Sequence, residues 1–527
     1  MKIENFGKWQ GIIDKIRMVS TKNGLDTYIV GGFVRDLLLG RSPKDLDLMV
    51  DGEGNGIRLG QLLEKEYGAK LVTEAGKSFG VSKVRLDNEE IDLVSPRKEV
   101  YEVDNRKPQV ANATVEEDAE RRDFSVNALF INLNTNEVVD YTGNGLNDLK
   151  NRVLRVANPE DPDTTMKDDP LRMLRLVRQA AQLGFSIDKS TYDSVARNAA
   201  KINTISKERI QEELNKILVT DKPSIALSFM KETGLLKHIS PELDSLETTE
   251  EESEYATKNV WSHTMQVVDQ APKNLTTRLA ALLHDVAKPK TLSRTYTVTC
   301  DGVSCGKKGE YVFKSQPEIG IVCENCGNKR VFKNEQELRD AFPGYRIHFY
   351  DHEKVGSGTA KKILSGLKYS QDIIDRVSNL VLHHMRPHAY NEEQWTDSSV
   401  RRLRRETDPF TDELLDLTSA DVTSKNPTKR QRNIQRIQNL RERIKRLEEV
   451  MPNSLIKSPL DGNELMTMFP EKKAGPWLSE YKEALINEVI EGRMAPDDKA
   501  AATRFVQSMG TKISQRIGVI KLSARDK

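Results

Sequence analysis

The spacing of apolar residues changes along this chain, and that change limits the fold more than any single motif. Up to about residue 150 the apolar residues come in short runs, as in YIVGGFV, DLDLMV, GVSKVRL, EIDLVS and NALFINL. Glycines and prolines separate the runs. Segments of this length and period are strands of a half-buried sheet. From about residue 165 the apolar residues fall three and four apart, in LRMLRLVRQAAQLGF, KERIQEELNKIL and SIALSFMKETGLL. That is the period of helices that bury one face. The fold expected is α+β: an N-terminal sheet with helices, then a long all-helical remainder. At 527 residues the chain is long enough for several domains, and no repeat of solenoid period occurs.

The charge balance is nearly even, with 81 Lys and Arg against 80 Asp and Glu. A global field for nucleic acid is therefore excluded, and any such site is a local patch. One basic amphipathic stretch qualifies, KNPTKRQRNIQRIQNLRERIKRLEEV from Lys425 to Val450. Its Ile434, Ile437, Ile444 and Leu447 keep helical spacing, which also suits packing in a bundle with solvated arginines. The acidic LETTEEESEYATK, from Leu246 to Lys258, reads as a solvated linker or surface loop. Apolar runs such as Leu279 to Leu283 are too short to span a bilayer, and no signal-peptide core opens the chain. The expected compartment is the cytoplasm.

Candidate chemistry starts in Ile29 to Val50, IVGGFVRDLLLGRSPKDLDLMV. Gly31 and Gly32 allow a backbone to approach a phosphate closely, and Arg35 places a cation beside them. Asp45 and Asp47, two residues apart in a strand, point to one face. Two carboxylates so close repel unless a cation sits between them. Asp92 in EIDLV is a third candidate; its alternative is an ion pair with a neighbour such as Arg97. Oxygen-only ligands suit Mg²⁺, and paired Mg²⁺ suits in-line displacement at phosphorus. Neither a dinucleotide fingerprint nor a Walker sequence is present.

The succession of motifs resembles the class II tRNA nucleotidyltransferase and bacterial poly(A) polymerase superfamily. GGFVRDLLLG followed by DLD is similar to that family's head. RRDFSVNALF (Arg121 to Phe130) resembles its ribose-binding motif, and DYTGNGLNDLKNRVLR the stretch closing the head. DDPLRMLRLVRQAAQLGF (Asp168 to Phe185) is similar to its nucleotide-selecting helix, and SPLDGNELM with GPWLSEYKEALINEVIEG to its tail. The resemblance implies a polymerase-β-like nucleotidyltransferase head over 1–155, an all-α neck over 156–245, an HD-type helical body over 246–425 and a tRNA-binding helical tail over 426–527. It implies Gly32, Arg35, Arg122, Asp123 and Asn127 as nucleotide contacts, Asn127 in a supporting role. It assigns Asp169 and Arg172 as a protein template, with Arg175 and Arg178 toward the phosphates. The chemistry is consistent: a carboxylate accepts from the exocyclic amine of cytosine or adenine, and a guanidinium donates to the adjacent ring nitrogen. Guanine and uracil present the reverse order. The activity implied is CCA addition to the tRNA 3′ end from CTP and ATP, with Mg²⁺ on Asp45 and Asp47. A poly(A) polymerase or a CC- or A-adding enzyme is the alternative within the family, and an HD phosphohydrolase or RNA-binding protein with an inactive head the alternative outside it. Three departures stand out: Asp168 where the family usually has Glu, Gln179 where Phe often follows the last arginine, and a DYTGNGLNDL one residue longer than usual.

Two further metal sites are expected. His263, His284 with Asp285, His352, His383 next to His384, and Asp421 resemble the ligand pattern of the HD metal-dependent phosphohydrolases. The resemblance implies a divalent metal there and a phosphatase or 2′,3′-cyclic phosphodiesterase activity; whether His383 or His384 ligates stays open. Cys300, Cys305, Cys323 and Cys326 give C-x4-C, 17 residues, then C-x2-C. Two close thiol pairs in a polar segment suit tetrahedral Zn²⁺ in a ribbon inserted at about 293–345.

Overall fold

The computed structural model describes residues 1–73, 81–100, 109–251, 258–300, 305–306, 308–313, 319–323, 325–342 and 345–509. The chain divides into two compact units, Met1–Asp244 and Ser245–Lys527. The fold is mixed α/β, with its large sheet in the first unit.

That sheet has seven strands, in the order Lys70–Thr73, Val81–Leu86, Glu89–Val94, Leu46–Val50, Thr27–Val30, Leu129–Asn132 and Val138–Asp140. Within it only Leu46–Val50 and Glu89–Val94 run parallel; the other neighbours are antiparallel. The run YIVGGFV is shorter as a strand than its apolar length implies. It stops at Val30 because Gly31 takes φ +75° and turns the chain into the helix Gly32–Leu38. On one sheet face Ile29, Leu46, Leu48, Ile91 and Leu93 are fully buried. The helix Asn55–Tyr67 contacts the strands Leu46–Val50, Val81–Leu86 and Glu89–Val94. It lies so near that a Cβ at Gly56 would stand 3.1 Å from the Val94 carbonyl carbon. The other face carries Val30, Met49 and Phe130 in a cluster with Val115, Ala119, Ala128 and Ala157. Period two places Asp47 on this second face, beside that cluster.

Helices follow the sheet. Leu171–Leu183 buries Leu171, Met173, Leu174, Leu176, Val177, Ala180 and Leu183, an apolar stripe of the spacing noted above. Gly184 at φ +70° ends it. It packs against the helix Lys207–Leu218, which Ser206 caps, and against Pro223–Glu232.

In the second unit Val260–Gln270, Leu275–Leu283, His352–Gly366, Gln371–His383 and Thr411–Asp421 form a helical body. Its sequence is interrupted by a three-stranded sheet, Lys308–Phe313, Leu292–Thr299 and Tyr345–Phe349, and a hairpin, Ile319–Val322 with Lys329–Phe332. The basic stretch is one 24-residue helix, Pro427–Val450, that buries Ile437 and Leu440 and leaves Ile434, Ile444 and Leu447 half-buried. A separate core around Leu465, Tyr481, Leu485 and Val489 closes the described C-terminal part. The acidic stretch is not wholly solvated: Leu246 is buried in a 3-10 turn, and Glu250–Glu251 pair with Lys258–Asn259 as two short antiparallel strands. Its residues 252–257 lie outside the described ones. Among the described residues no helix is long and apolar enough to cross a membrane.

Candidate active site and metal centres

In the first unit the sheet register assembles the carboxylates. Asp47 stands opposite Asp92 on the parallel neighbour, and Asp92 opposite Lys83. Opposed residues share a face, so two acids from distant segments become neighbours, with Asp45 two residues before. Burial pushes the Asp47 carboxyl up to about 6, and Asp92 and Asp45 add to the effect while Arg122 opposes it. Asp92 pairs with Lys83 at 3.1 Å rather than with Arg97. A Cβ at Gly31 would lie 3.4 Å from Arg122 Nη1 and 3.8 Å from Asp47 Oδ2. Gly31 therefore borders both the acid and the arginine, while Gly32 is the first residue of the helix and lies against Arg35.

The RRDF segment is fixed by a carboxylate that motif reading did not single out. Thr114 and Glu117 form a capping box that starts the helix Val115–Glu120, which delivers the fully buried Asp118. Asp118 holds Arg121 and, at 3.1 Å, Arg122. Its spacing of three and four residues from those arginines is the available sequence signal. Asp123 is buried and receives Arg175 Nε at 2.9 Å on one oxygen and Asn127 Nδ2 at 2.9 Å on the other. Burial favours the neutral acid, yet Arg175 and Asn127 hold its pKa below the usual carboxylate value.

The arginines do not all stand where the resemblance implies. Arg35 is not held free for a phosphate: it pairs with Asp36 at 2.7 Å and donates to Asn127 Oδ1 at 2.7 Å and Gln179 Oε1 at 3.3 Å. Gln179, the departure from the family's Phe, is buried and also accepts from Asn127 Nδ2 at 3.1 Å. Its amide thus ties the helix Leu171–Leu183 to the head. Arg178 turns to the other side of that helix, donating to buried Glu213 Oε2 at 2.7 Å. A step of three residues rotates about 300°, so three arginines spaced by three drift round the helix and the last leaves the shared face. Asp169 and Arg172 do not pair through their side chains. Asp169 receives Arg209 Nη2 at 2.9 Å, and Arg172 donates to the carbonyls of Arg121, at 2.8 Å, and Thr165. Arg209, from the next long helix, is a partner that sequence spacing does not reveal.

The second unit gathers histidines and acids from five helices or helix ends. His263 Nε2 lies 2.9 Å from Asp421 Oδ1, and 3.3 Å from His284 Nε2. His284 Nε2 lies 3.0 Å from Asp285 Oδ2. On the other side of Asp285, His352 Nε2 lies 3.6 Å from Oδ1 and 3.3 Å from His384 Nε2. His263, His284 and Asp285 form one ligand-like group, and Asp285, His352 and His384 another. The nitrogens turned inward are all Nε2. Nδ1 of His284, His352 and His384 sits 2.7 to 2.9 Å from the carbonyls of Ala281, Phe349 and Val381, and that of His263 3.0 Å from Thr423 Oγ1. Such outer bonds fix the ring and leave the inner nitrogen for a metal. His384, not His383, joins the cluster, because successive helical residues point about 100° apart. His388, 2.9 Å from Asp421 Oδ2, and Lys288, 2.8 Å from Asp285 Oδ2, also belong to it. Burial would lower the His284 pKa, but Asp285 and Asp421 carry it up to about 9. His284 and Lys288 hold Asp285 well below the ordinary carboxylate range against the effect of burial. Two acids and four imidazoles in a buried space fit a divalent metal.

The four cysteines are free thiols whose sulfurs lie within 4.8 Å of one another. Cys300 Sγ is 3.5 Å from Cys326 Sγ, and Cys305 Sγ 3.8 Å from Cys323 Sγ. A tetrahedron with Zn–S bonds of about 2.3 Å has edges of about 3.8 Å, so the set fits one Zn²⁺.

A family model described as the poly A polymerase head domain matches residues 27–155, and one described as a probable RNA and SrmB-binding site of polymerase A matches 184–247. The mitochondrial CCA tRNA nucleotidyltransferase of Saccharomyces cerevisiae is 39% identical over 224 residues, 39% of this chain and 41% of that protein. The match therefore spans less than half of the yeast relative. The CC-adding tRNA nucleotidyltransferase of Thermus thermophilus is 28% identical over 494 residues, 90% of this chain and 92% of that one. The Bacillus stearothermophilus CCA-adding enzyme, solved with CTP, superposes with a TM-score of 0.61 at 17% identity, covering 98% of this chain and 100% of that one, and shares the fold. The yeast and Thermus relatives are both named as tRNA nucleotidyltransferases. Over residues 27–155 and 184–247 the chain is similar to the poly A polymerase family, and along most of its length it is similar to a CC-adding enzyme.

Proposed function

We propose that this protein adds CCA to the 3′ end of tRNA from CTP and ATP, without a nucleic-acid template. The observation that carries the reading is the register that opposes Asp47 and Asp92 beside Gly31 and Arg122. Asp45 and Asp47, with Asp92 adjacent, would hold Mg²⁺, which supplies charge for in-line displacement at the α-phosphorus of the nucleotide. The raised Asp47 pKa supports this, since clustered carboxylates that resist ionisation gain most from a cation. Arg122 faces the same acids and orients phosphate groups. Asp169 and Arg172 read the base edge, which requires Asp169 to exchange Arg209 for the nucleobase. Arg175 and Asp123 brace this helix against the head, with Asn127, Arg35 and Gln179 behind them. The divisions at about 155, 245 and 425 separate head, neck, HD body and a tail that holds tRNA.

We further infer that the histidine cluster is a metal-dependent phosphohydrolase acting on RNA ends, as a phosphatase or 2′,3′-cyclic phosphodiesterase. His263, His284, Asp285, His352, His384 and Asp421 would hold a divalent metal that activates water. The cysteine set would hold structural Zn²⁺. Four free thiols suit a reducing compartment such as the cytoplasm.

A second reading, CC addition alone, draws on the Thermus relative that aligns with 90% of this chain. One experiment separates the readings: a tRNA ending at its discriminator base is given labelled CTP, ATP or both, and product length is read on a sequencing gel. Three added residues support CCA addition, two support CC addition, and a ladder of adenylates overturns both.

A further inference from the structure

Two grooves flank the first half of the helix Pro427–Val450. The wider, about 850 Å³, is lined by Tyr390, Asn391, Gln431, Arg432, Gln435 and Arg436, among others. The other, about 550 Å³, is lined by Gln266, Gln270, Lys425, Arg430 and Ile434 as well as Gln431. Pro427 and Gln431 border both, so the grooves run along two sides of one ridge.

The lining has a definite chemistry. Across both grooves stand four cationic side chains and one carboxylate, Glu392. The remaining polar groups are mostly primary amides, which donate and accept side by side as base edges do. The cations along the helix also differ. In the second half Arg441 pairs with Asp412 and Asp416, and Arg443 with Asp397, which ties the helix into the body. At the start of the helix Arg432 and Lys425 are exposed and have no ion pair among the described residues. Packing accounts for Arg441 and Arg443; it does not account for Lys425 and Arg432.

One lining residue of each groove touches the histidine cluster. Arg436 Nη2 donates to the His388 carbonyl at 3.0 Å, and His388 Nε2 touches Asp421. Thr423, in the second groove, holds His263 through Nδ1. From Pro427 to Asn439 the ridge rises about 18 Å, the length of about five stacked nucleotides.

The geometry points to a binding track for single-stranded RNA that leads a 3′ end to the histidine cluster. Guanidinium groups take phosphates, and the amides of Gln431, Gln435 and Asn391 meet base edges. The track rests on the phosphohydrolase reading only for what happens to the end of the strand; binding does not require it.

The test uses the full chain and an octaribonucleotide ending in a 2′,3′-cyclic phosphate. Arginine modification by phenylglyoxal is mapped by mass spectrometry, with RNA, with polyglutamate of equal charge, or with neither. Saturating RNA is expected to protect Arg432 about fivefold or more, and polyglutamate is not, because it offers no bases. In cleavage assays Arg432→Glu raises KM about tenfold with little change in kcat, a size set by losing a phosphate contact and adding a like charge. Lys361→Glu, an equal charge change on an exposed helix face, leaves KM unchanged. Unaltered Arg432 reactivity under saturating RNA, or equal protection by polyglutamate, overturns the track. If the wild-type chain leaves the cyclic phosphate intact, the hydrolase reading fails while the footprint still decides the track.

Discussion

Asp47 and Asp92 oppose each other across the one parallel strand pair of the large sheet. They lie 45 positions apart in sequence and share a face, so the charge of Asp92 raises the cost of ionising Asp47.

Asp47→Asn should abolish nucleotide incorporation, by at least about a hundredfold, because it removes a carboxylate proposed to hold Mg²⁺. The same change should raise the thermal midpoint of the Mg²⁺-free protein at pH 7.5. A carboxyl raised from 3.8 to about 6 stabilises the fold when protonated, and that stability is lost as pH rises through 6. The advantage of Asn should therefore disappear near pH 4. A wild-type midpoint equal to the variant's at pH 7.5 without Mg²⁺ would argue against strain at Asp47.

Arg175→Leu leaves the buried Asp123 carboxylate without its charge partner and should cost about 3 kcal/mol in urea unfolding, less the share that water screens. Asp123 has a lowered pKa, so its contribution is present above the unfolded value near 3.8 and fades as pH falls below it. The deficit of the variant should shrink below pH 4. A deficit independent of pH would assign the loss to packing instead.

Gln179→Phe restores the residue usual in the family, yet it should destabilise by about 1–3 kcal/mol, because Arg35 and Asn127 lose a buried acceptor. Nucleotide incorporation should fall with it, since the helix that carries Arg172 and Arg175 is braced there. Gain of stability in the Phe variant would show that the amide network contributes little.

Asp285→Ala removes the carboxylate shared by both histidine groups. Divalent metal bound to the second unit, measured by plasma mass spectrometry after dialysis, should drop, and any cyclic-phosphate cleavage should vanish. Nucleotide incorporation should be retained. Loss of both activities together would merge the two sites into one.

Zinc analysis should find one Zn²⁺ per chain retained by the cysteine set, released by an organomercurial titrant of thiols. Cys323→Ser should lose it, since three thiolates and a hydroxyl make a weaker tetrahedral site. Retention of full zinc in that variant would place the metal elsewhere.

Much was legible from sequence because it depends on local order. The change of apolar period marked the sheet and the helices, and the Gly31-Gly32 turn, Asp45 and Asp47 stand within one strand-turn-helix-strand segment. The thiol spacing and the His284-Asp285 pair are local as well. What sequence left open, His383 against His384, depends on which way a helix faces, and only its packing settles that: His384 sits in the cluster. The carboxylate Asp118 was within reach of helical spacing; Arg209, Glu213 and His388 were not, because their partners come from other helices. The pairing of Asp47 with Asp92 required a sheet register, which no local pattern encodes. The three arginines spaced by three look equivalent in sequence. Tertiary packing gives them separate fates: Arg172 and Arg175 meet the head, while Arg178 meets Glu213. Sequence determined which chemical groups the chain carries and the period on which they lie. Which of them meet was decided by the fold, since long-range contacts depend on how faces pack rather than on spacing along the chain.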